Sequence, residues 1–174
     1  MTCNLDEMAA LDTPILNSIG GYAFSGNANY EGSQMMTLRC SKLPDSIEII
    51  DGSAFYYGGA NITLTKLPDN LKTMGTWSFA NCANLQITHF GSSNPEGSFK
   101  KIPGYAFYMA SVNRNNFTPL NNKIYLGESI LHVDNYAFQG YGNSLILVVP
   151  YETEKDKGSP YNNTDGLNSV DIGI

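Results

Sequence analysis

Five segments of this 174-residue chain align on a small residue followed by phenylalanine, at Phe24, Phe55, Phe79, Phe107 and Phe138. Five residues before each phenylalanine stands an apolar side chain: Ile19, Ile50, Met74, Ile102 and Val133. Eight before it stands another: Leu16, Ile47, Leu71, Phe99 and Ile130. The residue just before each phenylalanine is Ala23, Ala54, Ser78, Ala106 or Ala137. One rule governs fifteen positions. The anchors lie 31, 24, 28 and 31 residues apart, so the tight unit is 24 residues and the excess marks loop insertions. Doubling a loop costs only about 0.6 kcal/mol of closure entropy, so such insertions are tolerated.

A second ladder follows the anchors. Leu38-Arg39-Cys40-Ser41-Lys42-Leu43-Pro44 returns as Ile62-Thr63-Leu64-Thr65-Lys66-Leu67-Pro68, with weaker copies from Leu85 to Gly91, Asn121 to Gly127 and Leu145 to Pro150. A period of roughly 20–29 residues with this leucine spacing belongs to leucine-rich repeats. One copy cannot bury its own apolar face, so copies stack and their ladders form a continuous core. The expectation is a mainly β leucine-rich repeat solenoid of about five coils with short irregular caps. Each coil carries one strand at L-x-x-T-x-L-P and a second extended piece near I-x-x-I-G. Gly, Asn and Asp beside the A-F segment supply the turn conformations.

The units LPDSIEIIDGSAFYYG and LPDNLKTMGTWSFANCANL resemble the BspA-type leucine-rich repeat, whose pattern reads LPxxLxxIGxxAFxxCxxLxxLxLP. Cys82, three residues after Phe79, falls on that pattern's cysteine. The resemblance covers roughly residues 14–150; irregular insertions and Gly127 in place of proline depart from it. It implies surface-exposed adhesins or interaction domains of microbes, often within larger proteins, and an extracellular, cell-surface or virion location.

Residues 1–14 are expected to form an N-terminal cap or helix, 15–150 the leucine-rich repeat domain, and 151–174 a C-terminal cap or tail. The N-terminus, with Asp6 and Glu7, lacks the basic start and apolar stretch of a signal peptide. The chain is therefore expected either to stay inside or to belong to a larger exported or assembled one.

Charged residues make up only 15% of the chain, and neutral Asn, Gly and Ser take their place, while 42% is hydrophobic. A net charge of −6 repels phosphate backbones, which argues against nucleic acid as a general partner. No apolar run reaches the length of a transmembrane segment. His89 and His132 sit in different repeats without partners at metal-ligand spacing, and the three cysteines exclude a full disulfide framework. No nucleophile elbow, P-loop or dinucleotide fingerprint is present, so neither catalysis nor a cofactor is expected.

If Leu38, Ser41 and Leu43 point inward, then Cys40, Lys42, Leu64, Lys66, Ile87, His89 and Tyr125 point outward. Lys42, Lys66, His89 and Tyr125 then form one stripe across neighbouring coils, with Leu64 and Ile87 as an apolar stripe beside it. A register shifted by one residue instead puts Leu64 and Ile87 in the core. The strand face of a solenoid is its usual binding surface. The expected function is non-catalytic, adhesin-like recognition of a protein or glycan partner there. The alternative is a structural spacer or decoration domain in a cell-surface or virion assembly. Tyr22, Tyr105 and Tyr136 form a column readable as packing or as a contact surface, and Tyr56, Tyr57, Tyr108 and Tyr141 are the better exposed tyrosines.

Overall fold

The computed structural model describes residues 2–11, 16–26, 37–58, 62–94, 96–110, 112–113, 118–119, 123–141 and 146–148. In chain order these hold β1 (Thr2–Asn4), α1 (Leu5–Ala9), β2 (Ser18–Ile19), β3 (Thr37–Arg39), β4 (Ile49–Ile50), β5 (Thr73–Met74) and β6 (His89–Phe90). Then come β7 (Lys101–Ile102), β8 (Val112–Asn113), β9 (Thr118–Pro119), β10 (Lys123–Leu126), β11 (His132–Val133) and β12 (Ile146–Val148). Short strands and one five-residue helix make a mainly β repeat fold.

Equivalent strands pair in parallel, copy against copy. On one side β1 pairs with β3, Cys40 bridges to Ile62, the Gln86 N–H donates to the Leu64 carbonyl at 2.8 Å, and β6, β10 and β12 continue the column. On a second side β2, β4 and β5 pair in one group and β7 with β11 in another, aligning Ile19 with Ile50 and Met74, and Ile102 with Val133. The third side is the phenylalanine turn. There the N–H groups of Phe24, Phe55, Phe79 and Phe107 each donate to the carbonyl just before the next anchor, all at 2.8 Å. Among the described residues only β8 and β9 pair antiparallel. Copy-to-copy pairing satisfies the backbone groups that burial would otherwise leave without partners.

The phenylalanines stack through the interior. Successive centroids from Phe24 to Phe55, Phe79, Phe107 and Phe138 lie 5.4, 4.8, 5.6 and 5.4 Å apart, with interplanar angles of 21°, 7°, 2° and 9°. Four of the five rings are fully buried and Phe24 is half-buried. The residue before each ring is small because, from Ala54 onward, it is sealed in the interior too. Burying each ring contributes roughly 1.5–3 kcal/mol. Cys82 is buried and its Sγ donates to the Phe55 carbonyl at 3.1 Å.

The turns depart from expectation. The residue two before each anchor is left-handed throughout: Tyr22, Ser53, Trp77, Tyr105 and Tyr136 have φ between 57° and 62°. Two residues after the anchors, Tyr57, Asn81, Met109 and Gly140 are left-handed as well. Only Asn81 and Gly140 are the residue types this backbone favours; bulky side chains there are uncommon.

Residues 1–14 contain more than a helix, because β1 supplies a rung to the first strand column before α1 begins. Asn4 caps α1 by accepting from the Asp6 N–H at 3.2 Å, and Leu5 is buried, whereas Leu11 is exposed. Asp6 Oδ1 accepts from the N–H groups of Ser41 and Lys42 at 2.7 and 2.9 Å, tying the helix to the end of the neighbouring strand. The segment 151–174 lies outside the described residues.

Candidate functional site

The strand column corrects the expected apolar stripe. Leu64 and Ile87 are wholly buried, and so is Cys40. Strand alternation carries Leu38 and Cys40 inward together, and likewise Ile62 with Leu64 and Leu85 with Ile87. Two outward residues then follow in succession, at Ser41–Lys42 and Thr65–Lys66, before the chain turns in again at Leu43 and, partly, at Leu67. That break leaves Lys42 and Lys66 on the surface while the leucine two residues before Lys66 is in the core. The pairing is also staggered: Cys40 faces Ile62 rather than Leu64, and a two-residue stagger preserves which face is inward. Tyr141 is likewise buried rather than exposed, and its hydroxyl donates to the Ile87 carbonyl at 2.7 Å.

Lys42, Lys66, His89 and Tyr125 are exposed along the column. His89 and Tyr125 are register partners, and their rings stack at 4.6 Å with an interplanar angle of 10°. Thr88 Oγ1 lies 2.9 Å from His89 Nδ1. Lys66 Nζ reaches Asp69 at 3.0 and 3.1 Å and Asp45 at 3.4 Å. The hydrogen bond to Asp69 holds the Lys66 ammonium above the ordinary lysine range, against a smaller desolvation effect and with help from Asp45. As a surface pair this contributes well under about 1 kcal/mol to stability; its consequence is a fixed donor beside a fixed acceptor.

Lys66 and His89 also meet in a cavity of about 450 Å³ between consecutive copies. One wall is the Lys66–Asp69 segment, and the other is formed by Gly91, Ser92, Gly97 and Ser98 with Phe99 and Ser129. The spacing of the anchors places the extra residues of this copy between Phe79 and the Leu85–Gly91 step, whereas in the structure the loop that walls the cavity follows that step. That loop is closely braced. The Ser92 N–H donates to Ser129 Oγ at 2.8 Å, and that hydroxyl donates to the Phe99 carbonyl at 3.0 Å. Ser92 Oγ accepts from the Asn94 N–H and Asn94 Oδ1 from the Glu96 N–H, each at 3.0 Å. Gly91 has φ 79°, and a Cβ there would come within 2.5 Å of Ile130. Lys42 and Tyr125 lie outside the cavity lining.

A second surface is the left-handed column. Trp77 stacks on Tyr105 at 4.3 Å and 3°, and Tyr105 on Tyr136 at 5.0 Å and 23°. Tyr56 and Tyr108 meet Trp77 edge-on at 6.0 and 5.4 Å. Trp77 escaped the tyrosine column read from sequence, although its place two before Phe79 was the available signal. Ser53 interrupts the column, and Tyr22 beyond it is 69% exposed. Desolvation, followed by the Tyr57 hydroxyl, pushes the Tyr56 phenol up.

Among the described residues no group of three or more His, Cys, Asp or Glu side chains is placed to hold a metal ion, and no helix is long and apolar enough to cross a membrane. Parallel pairing copy on copy, with a leucine and phenylalanine core, defines a leucine-rich-repeat type of fold. The family described as BspA type Leucine rich repeat region (6 copies) matches residues 33–125, more than half of the chain. The chain belongs to that family. Comparison with curated proteins and with solved structures gave no match.

Proposed function

We propose that this chain is a non-catalytic recognition module. Its stacked copies form a solenoid that engages a protein or glycan partner through the face bearing Lys42, Lys66, His89 and Tyr125. The observation that carries this reading is the convergence of Lys66 and His89 on a cavity walled by an insertion. Insertions in repeat proteins gather on one face, often the binding face. Modules of this repeat class generally mediate interactions, and BspA-type proteins are often extracellular or at the cell surface. An adhesin-like role follows from both.

The test is binding of the purified chain to printed glycan arrays and arrays of cell-surface proteins, followed by Lys42→Glu with Tyr125→Ala and by Lys66→Glu. Loss of the strongest interaction in these variants, with unchanged circular dichroism, supports the reading. Full binding in all of them refutes it. Leu64 is unsuitable as a probe, because a polar residue there breaks the core.

The structural alternative has one observation of its own. Among the described residues β1 and β2 each pair on one side only. An open strand edge is a template for docking another chain. End-to-end assembly that survives the face variants above favours that reading.

A further inference from the structure

We propose that the cavity between the Lys66–Asp69 segment and the 91–98 loop is a saccharide site that takes one neutral pyranose unit. This rests on the recognition reading above and names the ligand class for the centre of that face. The lining combines charged, hydroxylic and apolar groups in a way that few ligand classes match. Lys66 Nζ and Asp69 Oδ1 stand 3.0 Å apart, a donor and an acceptor at the separation of two neighbouring sugar hydroxyls. Each hydroxyl both donates and accepts, so a vicinal diol pairs with both groups at once, one bond to each charge.

Ser92 and Ser98 border the same space, and His89 supplies a ring at its edge. Leu71, Phe99 and Pro68 are buried and form an apolar floor suited to the C–H face of a pyranose. The volume falls within the range of small-molecule sites.

Charge excludes the nearest competitors. Lys66 is flanked by two carboxylates, Asp69 in the lining and Asp45 beside it. A phosphate, sulfate or carboxylate ligand meets net negative charge there. An apolar ligand strips water from the ion pair without replacing its hydrogen bonds. The loop is braced by its own turns and by Ser129, so the site is largely formed before a ligand arrives, which lowers the entropy of binding.

The experiment is ligand-observed saturation-transfer NMR and calorimetry on the full chain. The probes are the methyl glycosides of glucose, galactose, mannose, fucose and N-acetylglucosamine, with N-acetylneuraminic acid as the anionic comparison. At least one neutral glycoside is expected to bind with a dissociation constant on the order of 1 mM, as its size allows. Ser98→Trp, which plugs the cavity from an exposed position, is expected to abolish that binding. Asp69→Asn should weaken it about tenfold or more by removing a charged acceptor. No saturable binding of any neutral glycoside, preference for the anionic sugar, or binding indifferent to both variants overturns the proposal. If array partners are lost in the Lys42→Glu and Tyr125→Ala variant but kept in Ser98→Trp, the saccharide site fails while the recognition reading stands.

Discussion

Replacing Phe79 by alanine tests the phenylalanine stack at its middle. The ring is fully buried, 4.8 Å from Phe55 at 7° and 5.6 Å from Phe107 at 2°. Neither neighbour is placed to collapse into the vacancy. Phe55 is held by its N–H bond to the Ser78 carbonyl and Phe107 by its bond to the Ala137 carbonyl, both 2.8 Å. Phe→Ala changes cost about 3–5 kcal/mol, and more where the site cannot relax, so the upper half of that range, about 4–5 kcal/mol, is expected. Phe24 provides the internal comparison. It is half-buried and, among the described residues, stacks on one ring, at 5.4 Å and 21°, so Phe24→Ala should cost about 1–2 kcal/mol. Urea melts read both. With a slope of about 2 kcal/mol/M, the midpoint falls by about 2 M for the first and by under about 1 M for the second. A loss under about 1 kcal/mol at Phe79, or equal losses at the two positions, refutes the continuous stack.

Other substitutions probe single features. Ser78 Oγ is the one buried side-chain oxygen or nitrogen without a hydrogen-bond partner among the described residues, in a column otherwise filled by Ala54, Ala106 and Ala137; Ser78→Ala should raise stability by about 1 kcal/mol in the same melts. Tyr22→Gly relieves a left-handed backbone at an exposed ring and should leave stability level or up to about 1 kcal/mol higher, whereas Trp77→Gly also removes the stack on Tyr105 and should lower it. Tyr141→Phe removes the hydroxyl that donates to the buried Ile87 carbonyl and should cost about 1–3 kcal/mol. Desolvation pushes the Asp6 carboxyl up, but the N–H groups of Lys42 and Ser41, with Arg39, outweigh it and hold the group below its ordinary value of 3.8. A depressed folded-state value stabilises the fold above the unfolded-state pKa, and that contribution is lost as pH falls through the folded value. Asp6→Asn should therefore lower stability by under about 1 kcal/mol at neutral pH, since solvent screens this site, and make little difference near pH 2, read as melts across that span.

The repeat was legible because each copy cannot bury its own apolar surface. Ile19, Ile50 and Met74, or Phe55, Phe79 and Phe107, must recur at fixed intervals to meet one another, and that recurrence is a sequence pattern. The facing of Leu64 and Ile87 was open between two registers, and neither buries them while leaving Lys42 and Lys66 outside. The two-residue outward step at Lys42 and Lys66 belongs to a bend, and strict alternation does not encode a bend. The aromatic left-handed column was hidden for a related reason. Turn reasoning assigns such backbone to Gly and Asn, while here it recurs two residues before every anchor, at Tyr22 and Ser53 as well as at Trp77, Tyr105 and Tyr136, and only the last three stack on one another. Residues 91–98 read only as an excess in length, because their role depends on Ser129, in the next copy, as a brace.

The most direct test of the recognition surface is a nitrogen-15 chemical-shift map of the full chain titrated with the strongest array partner. Perturbed amides are expected to form one continuous patch through Lys42, Lys66, Asp69, His89, Ser92 and Tyr125, with the Trp77 indole unchanged. A map centred instead on Trp77, Tyr105 and Tyr136, with the amides of Lys66 and His89 unmoved, contradicts it and moves recognition to the aromatic column.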